Sequence, residues 1–388
     1  MNVTQPQLLE AARKIGQAVS AVHAAAVDKD ARFPKESFDA LKEQKLLSAY
    51  VPRELGGAGA TIEDVMVICH ALGQHCASTA MIYAMHQIQV ACLVHHGLKS
   101  SWHREFLQEL VKSQLLLASA TSEAGIGGNV RHSSCAVIRD GGGFTLEKNA
   151  TVVSYAEAAD GLLVTARSGP DAAPADQVLV VAKKAEFSLT RTSGWDTLGM
   201  RGTCSNGYLV KAEGDVDAIL PLGYADISSR TMLPIAHLTW SSLWLGIATD
   251  AVHRARAFVR GEARKNPSAQ PPGALRVAEQ MAELQTMRAT LAETAQLYHA
   301  KIDDPDFLSS LPFAIRMNLL KVTSSELAVR VVNQALRVCG IHGYKNDTPF
   351  SLGRHLRDAH SAALMVSNDR ILGNTAQLLL ATKEEVAL

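Results

Sequence analysis

Three stretches of this chain carry side chains that could do chemistry. The first is Thr121-Ser122-Glu123-Ala124-Gly125-Ile126-Gly127-Gly128-Asn129. Ser119, Thr121 and Ser122 offer hydroxyls there, and Gly125, Gly127 and Gly128 let backbone N–H groups approach an anion such as a phosphate closely. The second is Ser193-Gly194-Trp195-Asp196-Thr197-Leu198-Gly199-Met200-Arg201-Gly202-Thr203. The third is Val338-Cys339-Gly340-Ile341-His342-Gly343-Tyr344, followed by Arg354-His355-Leu356-Arg357-Asp358-Ala359-His360. Taken singly, each is more often a plain turn, loop or helix cap. No Walker GxxxxGK[ST], no GxGxxG between strand and helix and no GxSxG occurs, which disfavours a P-loop, a Rossmann site and a serine hydrolase. His86, on an apolar helix, reads as a core histidine rather than a catalyst. The fourteen histidines form no HxxxH or Cys/His cluster, so no metal site is expected.

Composition narrows the partners. The 388 residues allow two or three domains with ample core. Basic and acidic residues balance at 38 each, so no nucleic acid is expected as partner. The longest apolar stretches, around Met81–Val94 and Leu238–Val252, are interrupted by His86, Gln87, Gln89 and Asp250, so no membrane span is expected. The first 20 residues contain charges and no hydrophobic core of a signal peptide. Six cysteines without CxxC spacing read as reduced thiols of a cytoplasmic protein.

The elements that must position these stretches alternate in type. Residues Gln7–Asp28 carry a helical stripe of Leu8, Leu9, Ala12, Ile15, Val19 and Val22. A second helix follows Phe33-Pro34, a loop spans Val51–Gly59, Thr61 can cap the next helix, and two more cover Ser78–Gly97 and Ser101–Ser113. From Leu115 the pattern changes. Short β-type runs at Ser134–Arg139, Gly143–Leu146, Ala150–Ser154, Gly161–Ala166, Gln177–Val181 and Gly207–Lys211 are separated by Gly, Pro and Asp. Long helical patterns return at Ile227–Arg260, Pro271–Lys301, Leu311–Gly340 and Arg354–Thr382, which suggests an up-and-down bundle. The expected divisions are a helical domain over 1–114, a β domain over 115–225 and a helical bundle over 226–388.

In this order and at these separations the motifs resemble the acyl-CoA dehydrogenase superfamily over nearly the whole chain. Phe33-Pro34 leading to Val51-Pro52 and Gly56-Gly57-Ala58-Gly59 resembles its N-terminal signature, and Thr121–Asn129 resembles its T-E-P-x-A/G-G-S-D flavin loop. Leu198-Gly199-Met200-Arg201-Gly202-Thr203 matches L-G-M-R-G-S/T, and Gly340–Tyr344 with Arg357-Asp358-Ala359 matches G-G-x-G-Y…R-D-A. The resemblance implies a mainly α protein: a helical N-terminal domain, a β-barrel-like middle domain and a C-terminal four-helix bundle. It implies FAD between the last two, in a homotetramer or homodimer that builds each site from two subunits. Ser119, Thr121 and Ser122 would then face the isoalloxazine, Gly128 would lie by the pyrophosphate, and Val152 and Ser154 would stand at the family's W-x-T. Arg264 falls on the arginine that reaches a neighbour's FAD, Arg337 with Gly340 near its pyrophosphate or adenosine, and Asn368 on the threonine after the catalytic E-G pair.

The departures concern both cofactor and catalysis. Gly128 replaces the loop's serine, Ala124 its proline, Val152 the tryptophan, and Asn266-Pro267-Ser268 stands for T/Q-F-G. Family dehydrogenases remove the α-proton of an acyl thioester with a glutamate. Counting from Arg357-Asp358-Ala359 puts Val366 at that position, and the alternative position on the bundle's first helix holds Ala236. His237 and Asp369 are the nearest substitutes. The implied activity is hydride transfer from an acyl-CoA or acyl-carrier thioester to flavin, with an electron-transfer flavoprotein as acceptor. The alternatives are a flavin monooxygenase or oxidase, some of which carry a histidine where His86 stands but whose C-terminal histidine would fall at Met365, and a non-catalytic paralogue that binds flavin or thioester.

Overall fold

The computed structural model describes residues 4–127 and 129–382. Helix α1 (Pro6–Ile15) runs through a π-helical turn, Gly16–Ser20, into α2 (Ala21–Lys29). Helices α3 (Lys35–Glu43), α4 (Ile62–Gly73), α5 (Ala77–Gly97) and α6 (Ser101–Ser113) follow. Thr61 caps α4 as expected: its hydroxyl accepts from Asp64 N at 3.2 Å and Asp64 Oδ2 accepts from Thr61 N at 2.9 Å. Helix α5 is long and apolar enough to cross a membrane by length and composition alone. In the fold, 89% of that apolar window is buried inside the protein, so the helix serves as core.

The β region forms two sheets. Strands β1 (Leu117–Ala120), β4 (Gly161–Arg167) and β5 (Gln177–Lys183) make one, in the order β1-β4-β5, with β1 parallel to β4. Strands β2 (Ile138–Asp140), β3 (Gly143–Ala150), β6 (Phe187–Ser193) and β7 (Gly207–Asp215) make an antiparallel second, in the order β2-β3-β7-β6. The strand expected at Ala150–Ser154 is instead the exit of β3, and β1 and β6 join a ladder without having shown a strand pattern of their own.

After β7 come α7 (Tyr224–Ile227), a π-helical turn, and α8 (Leu233–Lys265), then α9 (Ala274–Ala300), α10 (Pro305–Leu308), α11 (Leu311–Cys339) and α12 (Ile341–Tyr344). Helix α8 is the axis of the bundle, packed against α4, α5, α9, α11 and α13 (Gly353–Leu364). It comes so close to α4 that a Cβ on Gly246 would lie 2.5 Å from the His70 carbonyl oxygen. The last expected helix is divided. It breaks after α13 and resumes as α14 (Asn368–Ala381), because Val366 adopts φ +51°, outside the helical region.

The second and third conspicuous motifs meet at a junction of all three regions. Asp358 Oδ1 accepts from Met200 N at 2.7 Å, and Arg357 Nε donates to the Leu198 carbonyl at 3.0 Å. The Arg357 guanidinium also reaches the Asp28 carboxylate at the end of α2, and Arg201 Nε donates to the Asp28 carbonyl at 2.8 Å. Burial pushes the Asp358 carboxyl up to about 6, against the Met200 N–H that favours its charged form. A Cβ on Gly199 would lie 2.2 Å from the Arg357 carbonyl oxygen, so only glycine admits α13 at this distance. Gly199→Ala should therefore destabilise the protein by about 1–3 kcal/mol, the usual cost of overpacking, read as a lower midpoint in chemical denaturation. An unchanged midpoint would show that α13 and the β region are not locked here.

Candidate functional site

The glycine-rich stretch after β1 is anchored from beneath by a buried ion pair. Glu123 accepts from Lys148 Nζ at 2.9 Å, Ser133 Oγ at 2.6 Å, Ser134 N at 2.9 Å and Cys135 N at 2.9 Å, and also from the Ser134 hydroxyl. Both side chains of the pair are buried. Lys148 completes its set on Thr165, at 2.8 Å to the carbonyl and 3.3 Å to the hydroxyl. Burial opposes ionisation of Glu123, but the bonds from Ser133, Ser134 and Lys148 outweigh it and hold the pKa down at about 2.

With its root fixed, the stretch presents its other side chains outward. Ser119 and Thr121 are partly buried, and no hydrogen bond within the described residues engages their hydroxyls. Ser122 is used differently from the expectation that it faces a cofactor. Its hydroxyl donates to the Val152 carbonyl at 2.7 Å and accepts from Val152 N at 2.9 Å, stitching the stretch to the exit of β3. The Val152 side chain itself is exposed. Ser154 is likewise engaged, with its hydroxyl 2.8 Å from Ser205, which lies 2.8 Å from Thr203. Gly125 and Gly127 take φ +85° and +57° with nothing near enough to crowd them. Gly128 lies outside the described residues.

The bend between α13 and α14 faces this stretch. The Arg370 guanidinium donates to the Gly127 carbonyl. Val366, 48% exposed, turns its carbonyl inward to Lys321 Nζ at 2.8 Å. Lys321 also donates to Asn368 Oδ1 at 2.7 Å, and Asn368 Nδ2 donates to Ser325 Oγ at 3.0 Å. Asn368 is therefore a buried strut. Of the two expected substitutes for a base, His237 is buried with Nδ1 2.9 Å from the Met317 carbonyl. Burial holds it neutral with a pKa of about 4; the Met317 carbonyl opposes this shift and the Lys321 charge adds to it. Asp369 is exposed in the first turn of α14.

The remaining expected residues stand at another end of the bundle. Arg264 lies exposed in the last turn of α8 and Arg337 exposed in the last turn of α11, with Gly340 following at φ +54°. Between these helix ends is a cleft of about 320 Å³ whose lining includes Phe258, Glu262, Asn266 and Val338. No described contact joins these residues to Ser119, Thr121 or Val152, so the chain brings the expected cofactor residues together as two separate groups.

His86 is a core histidine, as its apolar helix suggested. Its Nε2 lies 2.7 Å from the Leu47 carbonyl, while Nδ1 accepts from Leu117 N at 3.0 Å, pinning the start of β1. Burial keeps it neutral, with a pKa of about 4. Sequence reasoning missed Lys148 and Lys321, both fully buried. For Lys148 a signal existed, a lone lysine at an inward position of the alternating strand Phe144-Thr145-Leu146-Glu147-Lys148. Among the described residues no cluster of three potential metal ligands occurs.

The Glu123–Lys148 pair yields a direct expectation. Lys148→Met should cost about 3–5 kcal/mol, because it leaves a buried carboxylate without its cation, and Glu123→Gln added to it should recover part of the loss. In the wild type the carboxylate's contribution is complete above the ordinary value of 4.5 and is lost as pH falls through about 2. Denaturation midpoints of the single and double variants measure both. A double variant no better than Lys148→Met would refute the assignment.

Two family models match the chain: "Acyl-CoA dehydrogenase, N-terminal domain" over residues 2–125 and "Acyl-CoA dehydrogenase, C-terminal domain" over 229–374. Cyclohex-1-ene-1-carbonyl-CoA dehydrogenase of Syntrophus aciditrophicus is 24% identical over 95% of this chain and 87% of its own. Dibenzothiophene monooxygenase of Mycolicibacterium goodii is 26% identical over 81% and 80%. Among solved structures, FMN-bound TdsC from Paenibacillus sp. A11-2 superposes with a TM-score of 0.84 at 18% identity, covering 98% of this chain and 99% of that one. The two domain models, set on either side of the β region and joined by the junction that links all three, show that this chain belongs to the acyl-CoA dehydrogenase superfamily.

Proposed function

We propose that this protein is a flavin-dependent oxidoreductase of the oxygen-using kind, a monooxygenase or oxidase acting on a small organic molecule. One observation carries the reading. By register from Arg357-Asp358-Ala359, the position of the family's α-proton-abstracting glutamate is Val366, whose side chain cannot take a proton, and His237 is buried with Nδ1 on the Met317 carbonyl. An α-proton of a thioester needs a base within hydrogen-bond reach, and a valine side chain offers none. Both chemistries are represented among the relatives, at 24% identity for the dehydrogenase and 26% for the monooxygenase.

The residues present fit a flavin. Ser119 and Thr121 keep hydroxyls free of partners within the described chain, beside the exposed Val152 and the open backbone at Gly125 and Gly127. That combination suits the polar edge and apolar face of an isoalloxazine ring. Arg264, Arg337 and the cleft beside them suit the adenylate end of FAD bound mainly by a second copy of the chain, which calls for a homodimer or homotetramer. When bound, the flavin supplies the electron transfer, taking hydride from a substrate or passing electrons to O₂. The chain orients the ring through Ser119 and Thr121 and holds the bend through Lys321. The six cysteines are free thiols, which suits the cytoplasm.

A specific observation also speaks for a thioester ligand. The Val366 N–H has no acceptor among the described residues, and such an N–H can polarise a thioester carbonyl. Under that reading the protein dehydrogenates acyl-CoA or an acyl-carrier thioester slowly and hands electrons to an electron-transfer flavoprotein.

Three expected outcomes test these readings. The purified protein should bind FAD, and Thr121→Ala and Ser119→Ala should each weaken binding by about fivefold or more, the worth of one hydrogen bond; a protein whose melting temperature ignores excess FAD and FMN would end the flavin reading. Under anaerobic conditions a chain-length series of saturated acyl-CoAs should bleach the flavin of Val366→Glu about 10²–10⁴-fold faster than that of the wild type. Chemically reduced enzyme mixed with O₂ should meanwhile transfer oxygen to an aromatic heterocycle or an amine. Fast wild-type bleaching that survives His237→Ala and Asp369→Ala would overturn the oxygen-using reading.

A further inference from the structure

Lys321 sits in the middle of α11, fully buried, and among the described residues it forms no ion pair with a carboxylate. Its described hydrogen bonds both go to the α13–α14 bend, at 2.8 Å to the Val366 carbonyl and 2.7 Å to Asn368 Oδ1, and its Nζ stands 5.8 Å from the centre of the Trp244 ring. A lysine buried without a counter-ion is unfavourable. A methionine or leucine would fill the same space without that cost, so what the ammonium group holds is informative.

It holds a strained turn. Val366 is β-branched and stands at φ +51°, a region that such residues rarely occupy. In this conformation its carbonyl points at α11, where without Lys321 it would have no donor. Asn368 is fixed from its other side, since Nδ2 donates to Ser325 Oγ at 3.0 Å and that hydroxyl donates onward to the Val322 carbonyl at 2.8 Å. One helical turn earlier, Asn318 Nδ2 donates to Thr375 Oγ1 at 3.0 Å. Asn318, Lys321 and Ser325 share one face of α11 at three- and four-residue spacing, so this polar ridge seats both the bend and α14. Two residues beyond Asn368, Arg370 takes the Gly127 carbonyl of the glycine-rich stretch.

We propose that Lys321 is a positioning residue: it clamps the Val366–Asn368 turn in its left-handed form and thereby sets where the glycine-rich stretch stands relative to the bundle. The consequence for ligand affinity rests on the flavin reading above; the clamp itself does not. Lysine carries out this role because its ammonium can donate to two acceptors at once from a long apolar stem, which packs in the core as a leucine would.

The test compares Lys321→Met, Lys321→Met/Val366→Gly, Val366→Gly and Asn368→Ala in the full-length protein. Backbone hydrogen exchange over residues 364–370 should accelerate at least about tenfold in Lys321→Met, with a rise of about tenfold in the dissociation constant for FAD, the effect of losing charge-assisted hydrogen bonds. Adding Val366→Gly should restore both toward wild type, because glycine holds a left-handed turn without a clamp. Asn368→Ala, which removes one anchor and keeps the lysine, should show a smaller acceleration in the same window, and serves if Lys321→Met does not fold. A lysine of merely structural importance would lower the melting temperature of the whole chain and would not be rescued by a glycine 45 residues away. Unchanged exchange over 364–370 in both Lys321→Met and Asn368→Ala, or failure of Val366→Gly to restore it, would overturn the clamp. A wild type that binds no flavin would sink the function proposed above while leaving the exchange result to decide on Lys321.

Discussion

The rest of the structure depends on the contact between Arg357-Asp358 and the segment Leu198–Thr203. A buried carboxyl accepts from one backbone N–H, the neighbouring guanidinium bridges to Asp28 at the end of α2, and Gly199 lets the two backbones meet. Helical start, β middle and helical end are thereby held at a single point. The geometry of everything downstream follows from it: α13 leaves the junction in a set direction, and the bend at its far end is carried to the glycine-rich stretch, where Arg370 closes the circuit on Gly127.

This arrangement separates two kinds of importance. The residues of L-G-M-R-G-T and R-D-A, which carry much of the family likeness, do architectural work here. Arg201 bonds to Asp196, to the Thr197 carbonyl and to the Asp28 carbonyl, and Thr203 to the Met200 carbonyl. Glu123, inside the apparent flavin loop, also faces inward to Lys148. Satisfied polar groups of this sort specify a unique core at high stakes, because each would be costly if left alone. Among the described residues of this region, the Ser119 and Thr121 hydroxyls and the Val366 N–H have no hydrogen-bond partner, and the Val152 side chain is exposed.

Family and chemistry therefore rest on different parts of the chain. The fold is conferred by the junction, by the axis helix α8 with its close approach to α4, and by the buried pair under the glycine-rich stretch. The α13–α14 bend presents the exposed side chain of Val366. A buried lysine shapes that bend from behind, through the carbonyl of the residue whose side chain faces outward.

Much of this was legible in the sequence. Helical periodicity located α4 to α6 and the long bundle helices, the turn residues marked the β region, and the register of the motifs named the family. His86 was legible too, because a histidine surrounded by apolar neighbours at helical spacing has few options beyond satisfying backbone groups in a core. What sequence could not supply were relations between segments far apart in the chain. Pattern alone read residues 354 to 382 as one helix, since nothing local in Leu364-Met365-Val366-Ser367 breaks a helix; the break comes with a positive φ at Val366, whose carbonyl meets Lys321 of α11. Equally, Ser122 and Thr121 look alike as neighbouring hydroxyls, and only tertiary structure assigns one to the Val152 backbone and leaves the other free. Local preference decides what a segment forms, because it acts over a few residues. Which polar group remains available for chemistry depends on whether the fold brings it a partner, and only the tertiary structure decides that.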